Sequence, residues 1–343
     1  MAIFKELPIL DSIRENEQSP LSELSITGLS NPSRPMNPAA TVQIPVDRKP
    51  PWIRIRPPGG ENYLKIKSML DERNLHTVCQ EAHCPNLTEC WSGGTATFML
   101  GSDTCTRACR FCAVKTARIP PPLDPNEPEH IAKSIVDLNL KYVVLTSVDR
   151  DDLKDGGATH FAKTIEAIKK YNPEILVEAL VPDFKGDTEA IKIIVDSGLD
   201  VYAHNIETVA RLQYRVRDPR ANYIQSLTTL KYAKEYTAAK SKQLYTKSSI
   251  MLGLGESEAE LEASFADLRE FNVDILTLGQ YLRPSLKHLP VDKYYSPEEF
   301  KSLELLARKK DFLYVASGPM VRSSYKAAEF FIENKIRSLK NNH

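Results

Sequence analysis

Short apolar runs alternate with amphipathic segments over most of the chain. Seven runs of four to six mostly apolar residues predict strands, and seven segments with apolar residues at spacings of three and four predict helices. In one of these segments Leu261, Phe265 and Leu268 share a face, while Ser257 and Glu260 are spaced for a capping box. The predicted strands are 97–100, 142–146, 175–180, 201–204, 249–252, 275–278 and 313–316, and the predicted helices are 61–76, 128–139, 158–170, 186–197, 222–236, 257–271 and 297–310.

The order of these elements predicts an α/β fold. Strand–helix alternation implies βαβ units, and therefore a parallel sheet with right-handed crossovers. Six or seven repeats favour a whole or partial (β/α) barrel, and a doubly wound open sheet is the alternative. In both folds the functional groups lie at the C-terminal ends of the strands. Polar residues follow four of the predicted strands at these ends: Ser147, Asp183, Asn205 and Gln280.

Charge and composition exclude two broad classes of function. The 343 residues include 45 Lys and Arg and 45 Asp and Glu, so the formal net charge is zero. Nucleic-acid binding rests on many uncompensated cations, so nucleic acid is not the expected partner. No apolar run approaches the ~18 residues that a membrane helix needs, which argues against an integral membrane protein.

Residues 1–46 are predicted to form a flexible arm. Ten of the 23 prolines lie within residues 1–60, and no helix or strand period is present in the arm. Acidic residues such as Glu6 and Asp11 are unlike an acid-poor transit peptide, and the chain start lacks the pattern of a secretory signal. We therefore predict a cytoplasmic protein, with the mitochondrial matrix as the alternative.

All six cysteines lie within residues 79–112, and three of them form a C-x3-C-x2-C motif: Cys105, Cys109 and Cys112. In a reducing compartment such clustering indicates metal binding rather than disulfides. Thiolates favour zinc, copper(I) and iron–sulfur clusters, and a structural zinc site normally needs four ligands. Three cysteines can instead hold three corners of a cubane and leave the fourth iron open to a small molecule.

The other three cysteines, Cys79, Cys84 and Cys90, have C-x4-C-x5-C spacing. Taken alone, they fit a zinc site completed by His83, or structural thiols. Their position shortly before the first motif favours a second cluster. A closed cubane needs four ligands, so its fourth ligand must be a residue other than cysteine.

The C-x3-C-x-aromatic-C motif after the first strand of a predicted barrel resembles the radical S-adenosylmethionine superfamily. The two cysteine motifs together are very similar to the lipoyl synthase family. The sequence resembles that family almost continuously from about residue 75 to residue 325. The resemblance includes residues 84–86, 145–152, 155–157, 204–208, 217–220, 249–256, 278–282 and 317–325.

The resemblance implies an iron–sulfur enzyme with two [4Fe–4S] clusters. One cluster, on Cys105, Cys109 and Cys112, binds S-adenosylmethionine at its open iron. The auxiliary cluster, on Cys79, Cys84 and Cys90, takes Ser324 as its fourth ligand and donates sulfur. In this family a 5′-deoxyadenosyl radical abstracts hydrogen from carbons 6 and 8 of a protein-bound octanoyl-lysine, where two sulfur atoms are inserted.

The same resemblance implies a domain layout and a set of cofactor contacts. The fold would be a partial (β/α)6-type barrel over 96–290, preceded by an auxiliary-cluster extension over 47–95 and followed by a C-terminal segment over 291–343 that carries Ser324 and closes the mouth. Polar residues and glycines at strand ends also occur in ordinary loops and turns. The expected contacts to S-adenosylmethionine are Phe111, Ser147, Glu178, Asn205, Gly253 and Gly255.

The implied partners are proteins. They are an octanoylated lipoyl-carrier protein (a lipoyl domain of a 2-oxoacid dehydrogenase or the glycine-cleavage H protein), a reductant such as ferredoxin or flavodoxin, and an iron–sulfur carrier that rebuilds the auxiliary cluster. Three alternatives stay open: a radical sulfur-inserting enzyme with another acceptor, a zinc module on an ordinary barrel, and a two-cluster electron carrier.

Overall fold

The computed structural model describes residues 49–55, 57, 59–92 and 97–324. The chain divides into two units, residues 1–46 and 47–343. The arm predicted over 1–46 therefore lies outside the described residues, all of which belong to the second unit. In the part of the chain that is described, no helix is both long enough and apolar enough to span a membrane.

An eight-stranded sheet forms the centre of this unit, in the order β1-β2-β5-β6-β7-β8-β9-β10. Every neighbouring pair from β2 to β10 is parallel, and only β1 joins its neighbour β2 antiparallel. Because β1 and β10 stand at the two ends of the order, the sheet is open. The strands are β1 (His76–Thr77), β2 (Thr97–Leu100), β5 (Tyr142–Ser147), β6 (Leu176–Leu180), β7 (Val201–Ala203), β8 (Tyr245–Leu252), β9 (Ile275–Gln280) and β10 (Tyr314–Gly318), and a separate parallel pair is β3 (Thr104–Cys105) with β4 (Lys115–Thr116).

Helices connect the parallel strands and make six strand–helix units followed by a seventh strand. This arrangement confirms the expected α/β fold with a partial (β/α)6-type barrel. The helices are α1 (Glu61–Glu72), α2 (Val78–Glu81), α3 (Leu87–Ser92), α4 (Glu127–Asp137), α5 (Ala158–Tyr171), α6 (Thr188–Asp196), α7 (Gln213–Val216), α8 (Tyr223–Ala239), α9 (Glu258–Glu270) and α10 (Pro297–Arg308). The predicted capping box at the start of α9 is present.

The strands bury apolar side chains on both faces, as expected for a parallel sheet covered by helices. Val143 and Leu145 of β5 belong to the main core, whereas Tyr142 and Val144 belong to a second, smaller cluster. The second cluster gathers the first residues of several strands, including Leu176, Val201, Tyr245 and Ile275. This cluster fills the N-terminal end of the barrel interior. The functional groups are therefore expected at the opposite end, where the C-termini of the strands lie.

Two predicted boundaries were wrong by four residues. The helix expected over 61–76 ends at Glu72, because Asn74 adopts a left-handed backbone conformation (φ 51°) and the next residues form β1. The strand expected over 249–252 begins four residues earlier, at Tyr245. The first residues of this strand are mostly polar and include Lys247, a pattern that is typical of a loop. In the structure, however, Lys247 is buried in an ion pair inside the sheet.

Candidate metal centres

The loop after β2 carries Cys105, Cys109 and Cys112 across the C-terminal end of the sheet. The pairing of β3 with β4 closes the base of this loop, and the Cys112 carbonyl lies 3.0 Å from Nε2 of His288. Backbone hydrogen bonds join the loop to the segments after β5 and β7: the N–H of Thr106 donates to the Asp149 carbonyl at 2.9 Å, and that of Arg110 to the Val216 carbonyl at 2.9 Å. The loop is thereby fixed over the barrel mouth.

Backbone N–H groups point at two of the three sulfur atoms in this loop. The N–H groups of Arg107 and Asp218 lie 3.3 Å from Sγ of Cys105 and of Cys109, respectively. Burial raises the pKa of the Cys105 and Cys109 thiols to about 12 and that of Cys112 to about 11. Metal binding must therefore displace the thiol protons, as thiolate ligation requires. Three partly buried sulfur donors, two of them with N–H···S contacts, fit an iron–sulfur cluster.

A buried guanidinium anchors the same loop. Arg107 makes a bidentate contact with Asp183 at 2.7 and 2.8 Å and a second one with Asp151 at 2.9 and 3.0 Å. Its Nε lies 3.3 Å from Asp149, whose pKa burial raises to about 6. Sequence reasoning did not assign Arg107 a role; its only signal was an arginine between two ligand cysteines.

The auxiliary cysteines lie on one compact segment beside β2. Cys79 is on α2, Cys90 is on α3, and Cys84 is in the turn between them, where its N–H donates to the Cys79 carbonyl at 3.0 Å. The antiparallel pairing of β1 with β2 holds this segment against the barrel. Burial raises the pKa of the Cys79 thiol to about 11. None of the six cysteines forms a disulfide.

The structure brings Ser324 to this segment from the far end of the chain. Thr97 Oγ1 donates a hydrogen bond to Ser324 Oγ at 3.1 Å, and the Thr97 backbone contacts the Cys79 thiol. On the other side of the segment, Asn86 Nδ2 donates to the Met320 carbonyl at 2.7 Å. Three thiols and a hydroxyl oxygen are the donor set that a site-closed cluster needs, so these residues fit the group.

Within the described ranges, no three His, Cys, Asp or Glu side chains converge closely enough to hold a single metal ion.

Five of the six expected cofactor contacts lie at the C-terminal edge of the sheet. Ser147 is the last residue of β5, and Asn205 follows β7, where its Nδ2 donates to Glu207 at 3.2 Å. Phe111 packs partly buried against the main core. Gly253 and Gly255 have φ values of 100° and 104°, which favour glycine.

Glu178 lies deeper, within β6. Its two carboxylate oxygens contact Lys247 Nζ at 2.7 and 2.9 Å, and the Tyr142 hydroxyl donates to it at 2.6 Å. Both members of the ion pair are fully buried. The structure therefore does not bring Glu178 together with the other five residues; its role as a cofactor contact stays a prediction.

Comparisons with known proteins agree with both cysteine motifs. The model of the radical SAM superfamily matches residues 99–268, and that of the N-terminal domain of lipoyl synthase matches residues 40–84. A mitochondrial lipoyl synthase of Danio rerio is 58% identical over 298 residues, which are 85% of this chain and 74% of the relative. A chloroplastic lipoyl synthase of Ricinus communis is 53% identical over 330 residues, or 94% of this chain and 89% of the relative.

Among solved structures, the hydrogenase maturase HydG is 16% identical with a TM-score of 0.50, over 80% of this chain and 60% of that one, and this likeness concerns the fold alone. The superfamily implies a [4Fe–4S] cluster and S-adenosylmethionine. A radical enzyme with another acceptor is not favoured by these matches. Given the high identity over most of both chains, the chain belongs to the lipoyl synthase family of radical S-adenosylmethionine enzymes.

Proposed function

We propose that this enzyme inserts two sulfur atoms, at carbons 6 and 8, into an octanoyl chain carried as an amide on a lysine of a lipoyl-carrier protein. The observation that carries the proposal is the hydrogen bond from Thr97 to Ser324, 227 residues apart, beside Cys79. This contact supports Ser324 as the fourth ligand that the cysteine trio lacks. When bound, a cluster at Cys105, Cys109 and Cys112 supplies the electron that cleaves S-adenosylmethionine, and a cluster at Cys79, Cys84, Cys90 and Ser324 supplies sulfur.

The protein residues hold and shield these two sites. Backbone N–H groups orient Cys105 and Cys109, and the ion pairs of Arg107 fix the loop between them. A serine oxygen is a harder ligand than thiolate, so Ser324 is suited to a site from which iron and sulfur must leave. An unactivated C–H bond has no acidic proton, so no general base is required of the chain.

We also propose the contacts to S-adenosylmethionine and the division of labour along the chain. Residues 47–95 carry the auxiliary cysteines, 96–290 form most of the radical barrel, and 291–343 supply the serine ligand and complete the sheet with α10 and β10. The position of five candidate contacts at the sheet's C-terminal edge supports their assignment. For Glu178, contact with the cofactor requires that its pair with Lys247 opens or is shared. The proposed contacts are Phe111, Ser147, Glu178, Asn205, Gly253 and Gly255.

The proposed partners follow from the reaction. An octanoylated carrier domain supplies the substrate, ferredoxin or flavodoxin supplies electrons, and an iron–sulfur carrier rebuilds the auxiliary site. Because the net charge is zero, docking must use local charged patches and should weaken with salt. The mitochondrial name of the Danio rerio relative supports the mitochondrial matrix, rather than the cytoplasm, as the compartment.

The test is anaerobic reconstitution followed by turnover. We expect about eight irons per chain in the wild type and about four in both Cys105→Ala and Cys79→Ala. With S-adenosylmethionine, a reductant and an octanoyl-lysine peptide, the wild type should form 5′-deoxyadenosine and lipoyl peptide. Cys105→Ala should form neither product, whereas Cys79→Ala should form 5′-deoxyadenosine without inserting sulfur.

Ser324→Ala and Ser323→Ala are matched variants, because the two serines are adjacent in the sequence. Ser324→Ala should lose sulfur insertion at least tenfold while it still cleaves S-adenosylmethionine, and Ser323→Ala should resemble the wild type. Equal losses in the two serine variants would rule out Ser324 as the specific ligand. Bound zinc without sulfide, or identical behaviour of the two cysteine variants, would rule out the proposed division between the sites.

A further inference from the structure

Two buried N–H donors beside the auxiliary cysteines find no partner among the described residues other than a cysteine sulfur: Nε1 of Trp91, near Cys79, and Nη2 of Arg322, near Cys84. A buried donor without a partner destabilises a protein by about 1–3 kcal/mol, and by more when it is charged. Native proteins therefore rarely keep such atoms unless another group satisfies them. Both atoms face the same cysteine trio, so one missing group can account for both.

Trp91 follows Cys90 directly on α3 and is fully buried. Its ring packs against Tyr63 with the ring centroids 5.1 Å apart, which fixes the direction of the indole N–H. That N–H faces the thiol of Cys79. A thiol is a weak acceptor, whereas a cluster-bound thiolate or sulfide is a much stronger one.

Arg322 approaches from the opposite side, on the turn that precedes Ser324. Its Nη1 donates to the Val321 carbonyl at 2.7 Å and lies 3.4 Å from the carbonyls of Gln280 and Pro319. The guanidinium faces Cys84, and no carboxylate in the described part of the chain forms an ion pair with it. Carbonyls orient the guanidinium but do not neutralise it, so its charge has no counter-ion among the residues that the structure describes.

A cluster at this site would supply the missing negative charge. Three thiolates and an alkoxide on an oxidised cubane give a formal charge of about −2, and reduction makes it more negative. Charge balance and hydrogen bonds to sulfur are the means by which proteins set cluster potentials. A buried cation stabilises the reduced cluster more than the oxidised one, and therefore raises its potential.

We propose that Trp91 and Arg322 are positioning residues of the auxiliary cluster: the indole N–H and Nη2 donate hydrogen bonds to its sulfur atoms, and the guanidinium balances its charge. This inference rests on the proposed function, since it requires a cluster at Cys79, Cys84, Cys90 and Ser324. It adds that the cluster's potential and retention depend on these two donors.

The test uses the full chain with Cys105, Cys109 and Cys112 all changed to alanine, so that only the auxiliary site can load. In this parent we would compare Trp91→Phe, Arg322→Met and Arg322→Lys by EPR-monitored redox titration and by the rate of iron loss to a chelator. Trp52→Phe is the matched control, because the Trp52 indole donates to the Tyr295 carbonyl at 3.2 Å.

Arg322→Met should make cluster reduction about tenfold less favourable, which is a potential about 59 mV lower for one electron. Trp91→Phe should have a smaller effect of about threefold, Arg322→Lys should recover most of the loss, and Trp52→Phe should match the parent. Iron loss should quicken about tenfold in Arg322→Met. In the apo protein, by contrast, Arg322→Met should leave the Tm unchanged or raise it, because a buried unpaired charge is removed.

The other outcomes are decisive as well. If the parent loads about four irons but all variants stay within twofold of its potential, the two donors have no role, and the proposed function stands. If the parent loads no cluster, the proposed function fails and this inference fails with it. If Arg322→Met and Trp91→Phe bind no iron, the apo Tm decides: a Tm lowered in both variants indicates packing roles only, whereas an unchanged or raised Tm supports the inference.

Discussion

Replacement of Arg107 by methionine tests how the loop of the radical cluster is held. Arg107 is buried between two ligand cysteines, and its donors make four contacts of 2.7–3.0 Å with Asp183 and Asp151. Asp149 lies 3.3 Å from Nε. Methionine fills a similar space but removes the guanidinium that contacts all three carboxylates. Arg220 still lies 3.2 Å from Asp151, so the loss falls mainly on Asp149 and Asp183.

The expected loss follows from these contacts. Removal of one partner from a buried ion pair typically destabilises a protein by about 3–5 kcal/mol. For domains of roughly this size each kcal/mol shifts the Tm by about 2–4 °C, so Arg107→Met should lower the Tm by roughly 6–20 °C. Arg107→Lys keeps the charge but loses the planar fork that binds two carboxylates, so its loss should be about half as large.

The assay is thermal unfolding of the apo full-length chain, followed by iron analysis in a Cys79→Ala background where only the radical site loads. We expect Arg107→Met to lower iron content at that site, because the loop is no longer fixed. Arg107→Met combined with Asp183→Asn should recover part of the Tm, since one unpaired charge is gone. A Tm of Arg107→Met within about 2 °C of the wild type would refute the reasoning.

Three further predictions concern the barrel itself. Gly253→Ala should lower the Tm much more than Gly198→Ala. Both glycines have strongly positive φ, but a Cβ on Gly253 would meet atoms at 2.3 and 2.4 Å, whereas a Cβ on Gly198 would meet none within 4 Å. Equal Tm values in the two variants would refute the steric reason. Lys247→Met should destabilise by about 3–5 kcal/mol in denaturant unfolding, and added Glu178→Gln should recover most of that; no recovery would contradict the pairing. Burial lowers the pKa of His204 to about 4. The unfolded chain binds a proton at this histidine below about pH 6.5, whereas the folded chain binds it only near pH 4, so about 3 kcal/mol of stability that is present above pH 6.5 is lost on acidification towards pH 4. His204→Gln should therefore make the free energy of unfolding depend less on pH over this range.

Much of the fold could be predicted from the sequence because its parallel strands are apolar and its helices amphipathic. The strands at 97–100, 142–147 and 275–280 begin where their apolar runs begin. The prediction failed where tertiary contacts override local preference. Lys247 belongs to a strand only because Glu178, from another strand, pairs with its charge. No pattern within β8 contains that information.

The candidate sites divide in the same way. Cysteine spacing is a local property, so the sequence by itself determined two trios, the need for a further ligand in each, and the end of the sheet that carries the chemistry. The identity of the auxiliary fourth ligand came from resemblance, which also pointed to Arg322 as a neighbour of that cluster. Trp91 gave no sequence signal that would separate it from an ordinary core residue. Only the tertiary structure decided that Ser324 meets Thr97 beside Cys79, and that two donors with no other partner in the described part of the chain face the same cysteines. The reason is physical: strand order and chain reversal determine which distant residues become neighbours, and burial determines which polar groups are left in need of a partner.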